Sequence, residues 1–172
     1  METIGQINNR KILYCNVRAD RNWSEYLPTN NWLAFTIIDE ADREFLDEVV
    51  TASLNNGVCY TSSVGELYSL TDDYFDEEIV WREIQKEEET GQPSDYGNIP
   101  MTTFSKNFED GFWYAAVFAT ATIGDVYIEI NKVVCVDCTK NKVREHLIHL
   151  IDKINNGWLP TEDGIAMPIY DE

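Results

Sequence analysis

The chain has 172 residues and a formal net charge of −18 at pH 7, from 31 acidic and 13 basic side chains. That length suits one domain, and 44% hydrophobic with 12% aromatic residues is enough for a core, which argues against global disorder. So acidic a molecule repels phosphate polyanions and anionic membrane surfaces, so neither nucleic-acid backbone binding nor membrane binding is expected.

No apolar run approaches the ~20 residues of a membrane span, and the start METIGQINNRK lacks a signal-peptide core. A cytoplasmic location is therefore expected. Cys15, Cys59, Cys135 and Cys138 are read as thiols, two of them inside apolar strand-like runs.

The first strand candidate is 11–17 (KILYCNV), and an irregular stretch marked by Pro28 and Asn30-Asn31 follows it. Residues 32–38 (WLAFTII) form a nearly continuous apolar run, the pattern of a strand buried on both faces. Asp39 ends it, and a helix from about Glu40 carries Phe45, Leu46, Val49, Val50 and Leu54 on one face up to Asn56-Gly57.

A third strand is expected at 58–63, with a turn at Val64-Gly65 and a helix from Glu66 to about Glu88. After a polar loop at 91–98, a fourth strand at 100–105 opens on Pro100, where a missing N–H matters least. Residues 108–122 are apolar almost all round and predict a deeply packed helix. Val133 to Asp137 is the fifth strand, with 126–130 as a further strand or hairpin arm, and 140–154 has helical spacing.

Strand and helix patterns alternate, as parallel strands joined by helical crossovers require. The expected fold is a single α/β domain: a three-layer sandwich with a mostly parallel, flavodoxin-like or Rossmann-like sheet of about five strands. Residues 32–38 and 101–104 are its expected central strands. The N-terminal segment 1–31 is expected to be partly irregular and the tail 156–172 irregular.

Charge is uneven. Residues 66–95 hold 11 acidic and 2 basic side chains, whereas 132–155 hold five basic and three acidic. Such a block is either a solvated helix face or a surface that meets a basic partner. Asp76, Glu77, Glu78, Glu87, Glu88 and Glu89 are its candidate interaction residues. Acidic immunity proteins and mimics of nucleic acid look like this in composition, which fits an immunity or defence-associated role.

Cys135-x-x-Cys138 and His146-x-x-His149 have the residue types of a zinc site. A helix rise of ~1.5 Å per residue, however, sets His146 ~10 Å from a strand-end thiol, against ~2 Å bonds to the metal. No metal and no cofactor is expected. Ser62-Ser63-Val64-Gly65-Glu66 has one glycine and neither phosphate-loop pattern, so it reads as a serine-capped turn.

Asp39 and Glu40, Ser62 and Ser63, Ser105 and Lys106, and Asp137 all fall, with the junction at Gly65-Glu66, at carboxyl ends of expected strands, where α/β sheets form ligand crevices. Carboxylates with hydroxyls there suit a sugar, a divalent cation or general-base chemistry. Thr102, Thr103, Glu109, Trp113 and Asp73 complete the candidate pocket.

Gly57, Cys59, Tyr60, Gly65, Asp73, Asp76, Glu77, Met101-Thr102-Thr103, Glu109 and Trp113 together resemble an uncharacterised bacterial domain-of-unknown-function family. Its resemblance rests on a glycine–cysteine strand, an Asp-x-x-Asp helix and a Met-Thr-Thr-aromatic strand before an acidic, aromatic helix. It covers about a third of the chain. Similar sequences often carry tryptophan and histidine after Met-Thr-Thr, where this chain has Phe104 and Ser105. The resemblance implies an α/β fold and carries no activity.

Two functions from different classes follow. One is an acidic interaction domain binding a basic protein partner. The other is a nucleotide- or sugar-processing enzyme using the strand carboxyl ends.

Overall fold

A computed structural model describes residues 1–160, apart from Asp20, Asp95, Tyr96, Asn98, Asn141 and the side chain of Ile123. The expected irregular tail from 161 onward and three residues of the expected loop at 91–98 lie outside the described residues.

The chain opens on a hairpin. Strands β1 (Glu2–Ile7) and β2 (Arg10–Asn16) pair antiparallel around Asn8, whose φ of 52° is a left-handed conformation that asparagine tolerates. The N-terminal segment, expected to be partly irregular, thus also contains β1, a strand the sequence does not predict. Its alternation is weak, and it is held by pairing with β2 and by packing against α4 (Arg144–Asn155).

A short 3-10 turn at Trp23–Tyr26 buries Trp23 before β3 (Trp32–Ile37), whose six residues are all buried. A second 3-10 turn, Glu40–Phe45, leads into α1 (Leu46–Asn55) and β4 (Tyr60–Val64). Helix α2 (Tyr68–Thr90) ends at Gly91, where a φ of 66° gives the left-handed residue that closes many helices.

Residues 101–105 run parallel to β4. The Thr61 N–H donates to the Met101 carbonyl (2.8 Å), Thr103 N–H to Thr61 (3.0 Å), Ser63 N–H to Thr103 (2.9 Å) and Ser105 N–H to Ser63 (2.9 Å).

Helix α3 (Phe108–Trp113) is capped by Asn107, whose Oδ1 accepts the N–H groups of Glu109 (3.0 Å) and Asp110 (3.3 Å). It continues as a π turn, Tyr114–Phe118. The expected helix to 122 therefore stops short. Ala121–Ile123 instead forms β5, which makes a small antiparallel hairpin with β6 (Val126–Ile128), the hairpin arm expected near 126–130. The π turn is tied down by a buried cation: the Arg10 guanidinium donates to the carbonyls of Ala115 (2.9 Å) and Ala119 (2.5 Å).

Strand β7 (Lys132–Asp137) completes a five-stranded sheet of order β1-β2-β7-β3-β4, in which only β1 is antiparallel. The fold is thus mixed α/β with a mostly parallel sheet. The last strand enters between β2 and β3, whereas in flavodoxin-like and Rossmann-like sheets the first strand is interior and later ones add outward. This insertion also displaces residues 101–105. They were expected to be central and instead lie outside β4, with Met101 and Phe104 exposed.

Alternation along β3 explains the two cores. Leu33, Phe35 and Ile37 join Phe112, Leu147 and Leu150 from α3 and α4. Trp32 and Ala34 join Leu46, Val49 and Phe75 from the 46–90 region. Because successive strand residues point to opposite faces, each face of β3 requires its own apolar cover.

Candidate functional site

The carboxyl ends of the parallel strands hold the polar groups singled out in the sequence, and the structure shows how each is engaged. The Asp39 carboxylate accepts the Glu66 N–H (3.2 Å), and the Glu66 carboxylate accepts the Glu40 N–H (3.0 Å). Between them Gly65 has a φ of +96°, and a Cβ there would lie 2.5 Å from the Ile38 carbonyl oxygen. Two strand–helix turns are therefore clasped face to face, with no room for a side chain at residue 65.

Ser62 is buried in β4. Its neighbour Ser63 accepts a hydrogen bond from the Thr36 hydroxyl (3.1 Å). Thr102 donates to the Asp76 carboxylate (2.7 Å), Thr103 to the Thr61 carbonyl (3.0 Å), and Ser105 to the Asn107 carbonyl (2.8 Å). Glu109 pairs with Lys153 (3.3 Å) and lies 3.7 Å from His146, which joins α3 to α4. Trp113 stacks on Phe118 at 6.3 Å, and Asp73 is exposed. The structure thus brings Asp39 together with Glu66 and Thr102 together with Asp76, while Thr103, Ser105, Glu109 and Trp113 each engage other partners.

A network that the sequence reading touched only at Asp137 lies at the end of β7. The buried Asp137 carboxylate accepts the hydroxyl of Tyr14, and its other oxygen accepts the N–H (2.7 Å) and hydroxyl (2.6 Å) of Thr139. Burial raises its pKa, and the bonds from Thr139 and Tyr14 oppose that rise. A cleft of about 320 Å³ opens nearby, lined by Tyr14, Asn16, Trp23 and Arg144 among others. The Arg144 guanidinium is already paired with Glu2 (2.6 Å) and Glu145 (2.5 Å).

The four cysteines are free and buried. Burial pushes the Cys135 and Cys138 thiols up, away from the reactive thiolate. Among the described residues no group of three or more His, Cys, Asp or Glu side chains is placed to hold a metal ion. No described helix is long and apolar enough to cross a membrane.

Helix α2 is different in kind. At ~1.5 Å per residue its 23 residues extend about 34 Å, roughly twice the length of the five-residue β4 beneath it. Its buried residues are Thr71, Asp72, Phe75 and Ile79, and nothing beyond Ile79 is buried. The overhanging half nevertheless shows Val80 (45% exposed), Trp81 (55%) and Ile84 (37%) to solvent.

At about 100° per residue these three fall roughly 100–200° around the helix from Ile79, opposite the core-facing stripe. Asp73, Glu77 and Glu88 share that outer face by the same spacing, and all three are exposed. The sequence reading named the acids and missed the apolar side chains. Their signal was available: Trp81 and Ile84 do not continue the spacing set by Phe75 and Ile79.

The other expected interaction residues are less free. Glu78 is bonded to Arg82 (2.8 Å), Asp76 accepts from Thr102, and Glu87 accepts the Ser94 N–H where the chain folds back along the helix. Glu88 and Glu89 are exposed.

Fold and surface together define a small acidic α/β protein whose polar sheet end is internally bonded and whose longest helix presents an acidic, apolar outer face. The chain belongs to the family described as Domain of unknown function (DUF7684), whose model matches residues 12–154, from β2 to the last turn of α4. No curated protein and no solved structure matches it.

Proposed function

We propose that the protein is an interaction domain that binds a basic protein partner through the outer face of α2. A single observation carries this reading: no described residue of α2 beyond Ile79 is buried, yet that half of the helix presents Val80, Trp81 and Ile84 among carboxylates. Helices in proteins draw most of their stability from packing one apolar face, and exposed apolar groups rimmed by charge mark docking sites. A positively charged partner is favoured by the surrounding field and suits an immunity or defence-associated role.

Two crossovers rising on one side of the sheet and α3 with α4 on the other support a three-layer reading of the fold. The competing enzyme reading draws less support. Asp39, Glu66, Asp137, Ser105 and Thr103 each hydrogen-bond to neighbouring groups of the same chain.

A lysine- and arginine-rich peptide of unpatterned sequence tests the proposal by calorimetric titration. Binding should weaken at least tenfold between about 0.05 and 0.3 M salt. Glu77→Lys with Glu88→Lys should abolish it. Binding indifferent to both changes would place the contact elsewhere and sink the reading.

A further inference from the structure

We infer that the partner presents an amphipathic helix, with lysine or arginine flanking a short apolar stripe, and that this helix lies along α2. The inference rests on the interaction reading above and adds the shape of what is bound.

Two grooves run on either side of one ridge. Glu77 and Trp81, four residues apart, line both of them. The first groove, about 380 Å³, lies between α1 and α2 and is bounded by Asp47, Val50 and Glu78. The second, about 330 Å³, has Asp76 at one end and Val80 and Ile84 as its floor. Rows of side chains spaced by four residues form the ridges that a second helix straddles when helices pack.

The backbone argues for the same occupant. Groups in the interior of α2 are bonded within the helix, so an extended peptide laid there would find no main-chain partners. It would have to shed water from its own amides without replacement. A helix arrives with those bonds already made.

Charge selects the helix type. Asp47, Asp76, Glu77 and Glu78 line the two grooves, and among the described residues no lysine or arginine lines either, though Arg82 is paired to Glu78. A second copy of this chain would bring the same carboxylates together on molecules each carrying −18, which opposes self-association through this face. The face from Asp73 to Ile84 spans about 17 Å, so three turns of a partner helix suffice to cover it.

The test uses two synthetic peptides of identical composition. One is alanine-based, with leucines at i, i+3, i+4 and i+7 flanked by lysine and arginine. The other has the same residues in an order that breaks the stripe. Each is titrated calorimetrically into the full chain, and peptide helicity is followed by circular dichroism. The patterned peptide should bind at least tenfold tighter and gain helicity on binding.

Trp81→Ala should remove that advantage. Ile84→Lys should do the same by a second route, and both sites are exposed, so the fold is retained. Equal, salt-sensitive binding of the two peptides would leave the basic-partner reading standing and overturn the helix inference. No binding by either would overturn both. Sedimentation showing a dimer that Trp81→Ala dissolves would also overturn the inference, since a second copy would then be the occupant.

Discussion

Asp72 shows how one residue sets a pH response. It sits on the core-facing side of α2 with only 9% of its surface exposed, and its Oδ1 is buried with no hydrogen-bond partner among the described residues. Burial, then the nearby Asp76 and Asp73 carboxylates, push its pKa up to about 6 from an ordinary 3.8. The folded protein therefore holds a proton that the unfolded chain has already lost between those two values. Stability falls as pH rises through that window, and the penalty is fully present above about pH 6. At ~1.4 kcal/mol per unit the penalty is no more than about 3 kcal/mol. Asp72→Asn should raise the urea midpoint at pH 8 and leave it unchanged below about pH 4. A variant no more stable than wild type at pH 8 would show that the carboxylate is not held against its charge.

Arg10 is the converse case, a buried cation with no carboxylate partner among the described residues. Desolvation lowers its pKa, yet it donates to two carbonyls at the end of the π turn. Charge-assisted bonds of this kind contribute ~1.5–3 kcal/mol each, and their loss strands the acceptors. Arg10→Met should cost about 2–4 kcal/mol by chemical denaturation. A change under about 0.5 kcal/mol would mean that water replaces the guanidinium.

At the scale of elements, one glycine and two aromatic positions carry the sharpest expectations. Gly65→Ala meets both a disfavoured φ and the Ile38 carbonyl, so it should destabilise by about 2–4 kcal/mol. It should act without touching any ligand. In α3 the fully buried aromatic is Phe112, which packs edge-on against Phe35 at 5.4 Å, while Trp113 is half-buried. Phe112→Ala should cost about 3–5 kcal/mol and Trp113→Ala clearly less, by thermal or chemical denaturation. The reverse order would place the core on the wrong side of this helix.

The elements also show what could be read before any coordinates. Residues 32–38 declared a doubly covered parallel strand by a nearly continuous apolar run, and α1 and α4 declared themselves by their spacing. Strand β1 did not, because pairing to β2 and contact with α4, rather than its own pattern, hold it in place. The 108–122 stretch misled because apolar residues all round suit a buried helix and a buried turn into β5 equally well. Strand order was not legible, since nothing local to 132–137 specifies insertion between β2 and β3. The candidate site was half legible. Acidic composition pointed to α2, but only the short reach of the sheet beneath it reveals that Trp81 and Ile84 stay exposed among the described residues.

For the whole molecule, a charge of −18 acts on folding and on binding with opposite signs under salt. Self-repulsion disfavours the compact state, and it is screened as the Debye length falls from about 20 Å at ~0.02 M to about 4 Å at ~0.5 M. Chemical stability should therefore rise over that range while affinity for a basic peptide falls. The two effects separate at the end of α2. Glu88 is exposed there, so Glu88→Gln should relieve repulsion and raise the urea midpoint slightly at low salt, with the gain vanishing at high salt. Glu87 instead accepts the Ser94 N–H, so Glu87→Gln weakens a charge-assisted bond while relieving the same repulsion, and its net gain should be smaller. Equal gains from both variants would show that the bond to Ser94 adds nothing to stability and that repulsion alone governs this end of the helix.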